Sequence, residues 1–293
     1  MTKTNFIGNN AENEITAPHR QALSRHGYRA LRLIGRGAFS QVLLIQQEET
    51  KLLFACKISS RLDLARREGA ILEAAVHPLF PKFRDLWEDG GSAFLVMEYV
   101  CGSSLEEFLH RRGFFSSVQT ARVGMELAEG LKFLHQLPEP VLYRDLKPAN
   151  IMIRQDGRVK LLDMGCACGL RQPDGARAGT PGYAAPEQLE SGGVLSFATD
   201  VYGLGKTLED MIRNSRDNKN NRDHRDNSLR QVITACTAAQ PDQRIPDMQG
   251  VMTALAFLCR SGESRGELSR IKGFLQSRVS CVKSVWESEY KNI

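Results

Sequence analysis

The stretch Tyr143-Arg144-Asp145-Leu146-Lys147-Pro148-Ala149-Asn150 gathers several polar groups, and Asp163-Met164-Gly165 follows it along the chain. Asp145 can accept a proton from an attacking hydroxyl, and Lys147 can neutralise a phosphoryl group in transit. An isolated Arg-Asp pair indicates little, because such pairs are common surface ion pairs. The run Asp-x-Lys-x-x-Asn followed by apolar strand residues is much harder to obtain by accident. It indicates a phosphoryl-transfer site.

Two side chains in these stretches carry oxygen atoms suited to a hard cation. Asn150 offers an amide oxygen and Asp163 a carboxylate, which are ligand types that Mg²⁺ accepts. Short apolar runs at 151–153 and 159–162 separate them and predict two strands. We expect Asn150 and Asp163 to hold the metal, with Mn²⁺ as a substitute for Mg²⁺.

This pattern resembles the catalytic loop and metal-binding turn of the eukaryotic-type (Hanks-type) Ser/Thr protein kinase family. The other landmarks follow in the family's order: a segment similar to the glycine-rich loop at 33–42, and Phe54-Ala55-Cys56-Lys57, similar to its lysine strand. The resemblance covers about residues 30 to 260. It implies an α+β fold with two lobes, a small β-rich lobe containing the helix that the family calls αC and a larger, mainly helical lobe.

The resemblance and the hydrophobic pattern together predict the domain boundaries. Residues 1–27 are polar and patternless and are expected to form a flexible arm. A kinase domain then spans 28–260, divided into a small lobe (28–97), a hinge (98–104) and a large lobe (105–260). Apolar residues recur every three or four positions in 261–293, which predicts an amphipathic helix. That helix either packs on the large lobe or offers a surface to a regulatory partner or a membrane.

The resemblance also implies ATP as phosphoryl donor and assigns its contacts. Lys57 is expected to hold the phosphates and Glu68 to pair with it. Glu73 is the competing partner, but it lies five residues further on and points to a different side of a helix. The remaining expected nucleotide positions are Ile34, Gly35, Gly37, Ser40, Val42, Ala55, Met97, Glu98, Val100 and Met152.

Residues 179–187 resemble the family's substrate-binding loop and Ala-Pro-Glu motif. Thr180 is expected to contact Asp145 and Lys147, and Arg244 to pair with Glu187. No Ser, Thr or Tyr stands between residues 164 and 179, so the usual phosphorylation switch lacks an acceptor there. The Gly-Thr-Pro-Gly-Tyr loop at 179–183, together with the glutamine that follows Ala-Pro-Glu, resembles bacterial Ser/Thr kinases more than animal ones.

The segment that begins at Asp200 resembles the central helix of the family's large lobe. The resemblance implies that this aspartate braces the backbone of the catalytic loop.

Composition excludes several classes of function. The net charge of +5 is modest and spread along the chain, so nucleic-acid binding is not indicated. No apolar run approaches the roughly 20 residues of a membrane span, and the first residues lack an apolar signal region. The seven cysteines lack metal-ligand spacing and suit a reducing compartment. We therefore expect a cytoplasmic location.

The function implied by the resemblance is transfer of the γ-phosphoryl group of Mg-ATP to Ser or Thr hydroxyls of protein substrates, with autophosphorylation. Lys147, two residues after Asp145, favours Ser/Thr acceptors over Tyr. Two alternatives stay open. One is a pseudokinase, a nucleotide-binding interaction module, and the other is a small-molecule kinase of related fold.

Overall fold

The computed structural model describes residues 15–112, 115–171, 178–213 and 224–260. The described chain divides into two compact units. The first unit runs to Val76 and takes in Pro81–Val100; the second contains His77–Phe80 and the chain from Cys101 onward. Residues 1–14 and the predicted helix over 261–293 lie outside the described residues.

The first unit is built on an antiparallel sheet of five strands in the order β1-β2-β3-β5-β4. Its strands are β1 (Tyr28–Arg36), β2 (Ser40–Gln47), β3 (Leu53–Ser59), β4 (Phe83–Asp89) and β5 (Ser92–Glu98). Side chains alternate between the two faces of each strand. Leu43, Ile45 and Cys56 are fully buried on one of these faces. The predicted β-rich lobe is therefore confirmed.

A helix packs on this apolar face. It is formed by residues within 1–27, for which the sequence pattern predicts a flexible arm. Helix α1 (Ala17–Arg25) begins with a proline in its first turn, a position where the missing N–H costs no helical hydrogen bond. Its Leu23 is buried in the same cluster as Leu43 and Ile45. Arg25 forms an ion pair of 2.6 Å with Asp89. The prediction of an arm is wrong for residues 17–25, because apolar burial against the sheet stabilises a helix whose sequence shows no clear periodicity.

The second helix of this unit, α2 (Leu62–Ala74), packs closely on the sheet. A Cβ added to Gly69 would lie 2.8 Å from a methyl carbon of Leu86, so a larger residue here would require the Leu86 side chain to shift. Arg66 donates to both carboxylate oxygens of Glu88, at 2.6 and 2.8 Å. These contacts fix the helix on the sheet and bury Glu68.

Residues 77–80 belong to the second unit, although the sequence places them in the small lobe. Leu79 accepts a hydrogen bond of 2.7 Å from the Leu161 N–H, and Phe80 accepts one of 2.8 Å from the Lys160 ammonium group. A Cβ added to Gly130 would clash with Leu79 at 2.1 Å. Residues 98–100, expected to begin the hinge, lie in the first unit.

The second unit is mainly helical. Its helices are α3 (Leu105–Arg112), α4 (Ser117–His135), α5 (Pro186–Leu189), α6 (Phe197–Ile212), α7 (His224–Cys236) and α8 (Met248–Arg260). Ser116 and Gln119 form the predicted capping box at the start of α4. Leu127, Leu131 and Leu134 recur at helical spacing and are fully buried. Among the described helices, none combines the length and the apolar character that crossing a bilayer requires.

Two small sheets position the polar loops of this unit. β6 (Gly102–Ser104), β8 (Ile151–Arg154) and β9 (Val159–Leu161) form one sheet, and β7 (Val141–Leu142) pairs with β10 (Cys168–Gly169) in the other. The predicted strands around 151–153 and 159–162 are present. Residues 143–150 therefore form a short connection from β7 to β8, and residues 162–167 form one from β9 to β10. The predicted α+β kinase fold class is confirmed.

Candidate active site

Asp200 on α6 holds the backbone of the loop that begins at Tyr143. Its two carboxylate oxygens accept the N–H groups of Tyr143 at 2.9 Å and Arg144 at 2.8 Å, and His135 lies 2.8 Å from one of them. All four residues are buried. Arg144 has a left-handed backbone with φ of 67°, which is unfavourable for a residue with a Cβ. The carboxylate thus helps to hold the residue before Asp145 in a strained conformation.

Three predicted catalytic side chains meet at this loop. Lys147 Nζ donates to Asp145 Oδ2 at 2.7 Å and to Thr180 Oγ1 at 2.6 Å. The Thr180 hydroxyl in turn donates to Asp145 Oδ1 at 2.7 Å. Hydrogen bonds that involve charged groups are short and about twice as strong as neutral ones. The result is a closed triangle in which Asp145 accepts one hydrogen bond from a cation and one from a hydroxyl.

The two predicted metal ligands are brought together by backbone hydrogen bonding. The Leu162 N–H donates to the Asn150 carbonyl at 2.8 Å, which places Asp163 beside the end of the catalytic loop. Asn150 Nδ2 donates to the Asp145 carbonyl at 2.9 Å and to Asp145 Oδ2 at 3.1 Å.

Asp163 has φ of 60°, and its Oδ1 accepts the Gly165 N–H at 3.1 Å. A carboxylate and an amide held side by side fit a hard divalent cation. Across the described ranges, no group of three or more His, Cys, Asp and Glu residues is arranged to bind a metal. A metal at Asn150 and Asp163 would therefore complete its coordination with water and substrate oxygens.

Tyr143 stands where the family more often has histidine. The side chain is fully buried, and its hydroxyl donates to the Leu162 carbonyl. Burial, followed by the negative charges of Asp163 and Asp145, raises the pKa of Tyr143 well above its usual value. The same causes raise the pKa of the Cys166 thiol. Tyr143 thus stays neutral and donates a hydrogen bond that joins residues 143–150 to the turn that begins at Leu162.

The predicted pair between Glu187 and Arg244 is present and buried. Two guanidinium nitrogens of Arg244 each lie 2.8 Å from a carboxylate oxygen of Glu187, and Thr199 donates to the same carboxylate at 3.0 Å. Burial is the largest single influence and acts to raise the pKa of Glu187, but the hydrogen bonds and charge of Arg244, together with hydrogen bonds from a backbone N–H and from Thr199, outweigh it and the pKa is lowered. Residues 163–187 correspond to what the resembled family calls the activation segment. The ion pair anchors the Ala-Pro-Glu motif at its end.

In the first unit, Lys57 pairs with Glu68 as predicted. Lys57 Nζ donates to both carboxylate oxygens at 2.8 Å. The competing Glu73 is exposed on the other side of α2. Glu68 is therefore the partner, because the turn of the helix directs it inward and Glu73 outward.

Four of the predicted nucleotide positions of the first unit lie on one face of its sheet. Val42 pairs directly with Lys57, and Ala55 pairs directly with Met97. Directly paired residues and residues two apart share a face, so all four side chains lie on the same side. Gly35 also pairs with Val42, and the Gly37 N–H donates to the Ser40 carbonyl at 2.8 Å in the turn between β1 and β2.

The other predicted positions lie in several elements of the two units. Ile34 lies in β1, and Glu98 ends β5, with its N–H donating to the Lys82 carbonyl at 2.9 Å. Val100 is buried in the first unit. Met152 lies in β8 of the second unit, paired with Lys160.

Sequence reasoning missed three polar residues near the catalytic loop. His135 contacts Asp200, and the Tyr183 hydroxyl donates to Asp210. Gln188 contacts the loop backbone through its amide group. Each partner is distant in sequence, and no local pattern signals these contacts.

Comparison with known proteins gives a consistent result. A family model described as protein kinase domain matches residues 28–275, which extends beyond the predicted end at 260. The chain is 32 % identical over 207 residues to the human cAMP-dependent protein kinase catalytic subunit PRKX, covering 68 % of this chain and 57 % of the human protein. It is 31 % identical over 193 residues to cAMP-dependent protein kinase catalytic subunit 3 of Drosophila melanogaster, covering 63 % and 33 % respectively.

A plant relative is similar at the same level. Serine/threonine-protein kinase RUNKEL of Arabidopsis thaliana is 34 % identical over 187 residues, which cover 62 % of this chain and 14 % of the plant protein. The chain thus spans less than two thirds of the length of each of these three relatives. All three are eukaryotic, so they do not support the bacterial resemblance expected from the activation segment. The extent of the family match, together with the arrangement of Asp145, Lys147, Asn150 and Asp163, shows that the chain belongs to the protein kinase family.

Proposed function

We propose that this chain is a Ser/Thr protein kinase that transfers the γ-phosphoryl group of ATP to Ser or Thr hydroxyls of protein substrates, including its own. The observation that carries the proposal is the triangle of Asp145, Lys147 and Thr180. It combines a proton acceptor, a cation and a hydroxyl within hydrogen-bond distance. These are the groups that orient an acceptor hydroxyl and neutralise charge during phosphoryl transfer.

Each residue has a role that follows from its contacts. Asp145 accepts the hydrogen bond of the acceptor hydroxyl and then its proton. Its Oδ1 accepts the Thr180 hydroxyl at 2.7 Å, so an aliphatic hydroxyl fits against this oxygen, and a carboxylate oxygen can accept a second hydrogen bond. Lys147 bridges Asp145 and Thr180 and places positive charge beside the transferred group. Such a proton acceptor contributes about 10²- to 10⁴-fold to the rate of a reaction.

Lys57 binds phosphate oxygens of ATP, and Glu68 orients its ammonium group. Asn150 and Asp163 would hold Mg²⁺, which when bound neutralises the phosphate oxygens. The name of the Arabidopsis relative, which is a serine/threonine-protein kinase, and the presence of Lys147 two residues after Asp145 support Ser/Thr acceptors. A protein acceptor is supported by the substrate-binding loop at 179–187.

A radiometric assay tests this function. The purified chain with Mg-ATP is expected to label itself or a generic basic protein on Ser and Thr, and Asp145→Asn is expected to abolish labelling. Kinases with good substrates turn over at about 1 to 100 per second. ATP binding without labelling of any acceptor would favour the pseudokinase alternative. Labelling of small alcohols but of no protein would favour a small-molecule kinase.

A further inference from the structure

The peptide before the catalytic aspartate is held from both sides. Arg144 has φ of 67°, and a residue with a Cβ persists in this region only when its surroundings hold it there. Asp200 accepts the Arg144 N–H at 2.8 Å. Gln188 Nε2 donates to the Arg144 carbonyl at 2.9 Å. The first contact was foreseen from the sequence, and the second was not.

The side-chain amide of Gln188 makes two further hydrogen bonds. Nε2 also donates to the Ala178 carbonyl at 2.8 Å, and Oε1 accepts the Ala185 N–H at 2.9 Å. The two carbonyl partners and the single N–H partner fix the orientation of the amide. Gln188 is buried, so water competes little for these bonds. One side chain therefore joins the catalytic loop, the end of the activation segment and the start of α5.

Gly179 provides an independent sign that this junction is closely packed. A Cβ added there would lie 3.0 Å from Gln188 Nε2 and 3.1 Å from the Arg144 carbonyl oxygen, and its φ of 121° favours glycine. Glycine at 179 lets the segment lie against the Arg144 carbonyl. The next residue, Thr180, then reaches Asp145.

Capping of α5 is the simplest role for Gln188, but it explains only the bond to the Ala185 N–H. The two hydrogen bonds from Nε2 have partners outside α5. They are the carbonyl of Arg144, which precedes Asp145, and the carbonyl of Ala178, which lies two residues before Thr180. In many kinases this alignment depends on a phosphate in the activation segment. Here residues 165–178 contain no Ser, Thr or Tyr that could carry one.

We propose that Gln188 is a positioning residue whose amide nitrogen aligns Asp145 with Thr180, in place of a phosphorylated loop. This inference rests on the proposed kinase function. The positioning role requires the two hydrogen bonds that the amide donates to Arg144 and Ala178, whereas a helix cap requires only the one that it accepts from Ala185.

The variant Gln188→Glu separates the two roles. A carboxylate keeps an oxygen for the Ala185 N–H but cannot donate to Arg144 or Ala178. We expect kcat to fall about tenfold or more, because the buried Arg144 carbonyl and the partly buried Ala178 carbonyl lose their donor and face a negative charge. The KM for ATP is expected to stay within about twofold, since the nucleotide contacts are untouched. Gln249→Met is the matched control: it removes a hydrogen bond of 2.7 Å to Lys132 on the far side of α4 and should leave kcat unchanged.

The pH dependence of kcat, compared with the unfolded fraction at each pH, separates positioning from a purely structural role. Protonation of the carboxyl group introduced by Gln188→Glu restores one donor, so the ratio of variant to wild-type kcat should rise as pH falls from 8 to 6. The charged residues that adjoin the amide's partners are Arg144 and Asp145 in the loop and Glu187, paired with Arg244, in α5. These groups are common to both proteins and cancel in the ratio. Unchanged kcat in Gln188→Glu, or a loss that matches the unfolded fraction at every pH, would overturn the inference.

Hydrogen exchange tests the same idea without turnover. The amides of Tyr183 and Ala184 donate to the Thr180 carbonyl at 3.0 and 2.9 Å and report on the position of this loop. They should exchange faster in Gln188→Glu than in wild type or Gln249→Met. Equal exchange in the variant and the wild type would contradict the role of Gln188, whether or not the wild-type chain has kinase activity. Absence of kinase activity in the wild type would refute only the proposed function.

Discussion

Lys57 Nζ lies 2.8 Å from each carboxylate oxygen of Glu68, and both side chains are largely shielded from water. The pair links β3 to α2 across only a short connection, in which the Arg61 N–H donates to the Ser59 hydroxyl at 3.1 Å. Lys57 shares its sheet face with Val42 and Ala55. The cation is therefore oriented by a buried partner on the face where the nucleotide is proposed to bind.

Replacing Lys57 with methionine is expected to abolish kinase activity and also to destabilise the first unit. The change leaves Glu68 buried without its cation, which costs about 3 to 5 kcal/mol in comparable sites. The double variant Lys57→Met/Glu68→Met removes both charges and should recover most of the stability while staying inactive. Urea unfolding and an ATP-dependent kinase assay measure the two effects. A double variant as unstable as the single one would contradict this account of the pair.

Thr180→Val is expected to lower kcat by about tenfold, because the substitution keeps the shape of the side chain but removes the hydroxyl that bridges Asp145 and Lys147. Thr180→Ser keeps the hydroxyl and should retain most activity. Steady-state kinetics with a peptide acceptor measures both variants. If the two substitutions reduced kcat equally, the methyl group would matter and the hydroxyl would not.

Metal dependence is expected to change with Asp163→Asn. A neutral amide binds Mg²⁺ more weakly than a carboxylate, so the half-saturating Mg²⁺ concentration should rise and kcat should fall. Removing Mg²⁺ with a chelator should abolish the activity of the wild-type chain. The control is Asp156→Asn, which changes an exposed aspartate paired with Arg154 and should leave the Mg²⁺ titration unaltered. Identical Mg²⁺ titrations for Asp163→Asn and the wild type would show that Asp163 is not a metal ligand.

The ion pair of Glu187 and Arg244 predicts a defined pH dependence of stability. Arg244 lowers the pKa of Glu187 below its ordinary 4.5 in the folded chain, against the effect of burial. The folded state therefore holds fewer protons than the unfolded state at this site. Its contribution is fully present above about pH 4.5 and is lost as pH falls through the lowered pKa.

Glu187→Gln cannot titrate at this position and leaves Arg244 buried without an anion, so it should be less stable than wild type at pH 7. The difference in unfolding free energy between the two proteins should narrow as the pH is lowered below 4.5. Urea unfolding between about pH 3 and pH 7 measures it. A constant difference over that range would show that Glu187 does not contribute through its charge.

Phosphatase-treated protein is expected to keep most of its activity. Residues 165–178 contain no hydroxyl to phosphorylate, and the nearest ones are engaged: Thr180 with Asp145, and Tyr183 with Asp210. Burial, together with the hydrogen bond to Asp210, raises the pKa of Tyr183 and keeps it protonated. Loss of turnover on dephosphorylation, with the lost phosphate mapped to Thr180 or Tyr183, would show that the loop is switched.

Local sequence was sufficient for the landmarks of this protein. The order and spacing of Asp145, Lys147, Asn150 and Asp163 indicated the catalytic loop, because the first three lie in one short connection between strands and Asp163 follows the next two strands along the chain. Ser116 and Gln119 indicated the start of α4, because a capping box is a contact within four residues. Such signals survive in sequence because neighbours in the chain are also neighbours in space.

Other features depended on contacts between residues far apart in the chain. Helix α1 forms because Leu23 packs on Leu43 and Ile45, and its own polar sequence did not predict it. The strained Arg144 is held by Asp200 and Gln188, which come from two later helices. Partners of this kind are chosen by how the elements pack, since a buried donor or acceptor must be satisfied by whatever group the fold places beside it. The sequence alone indicated which groups are proposed to carry the chemistry, and the tertiary structure alone decided which groups hold them in place.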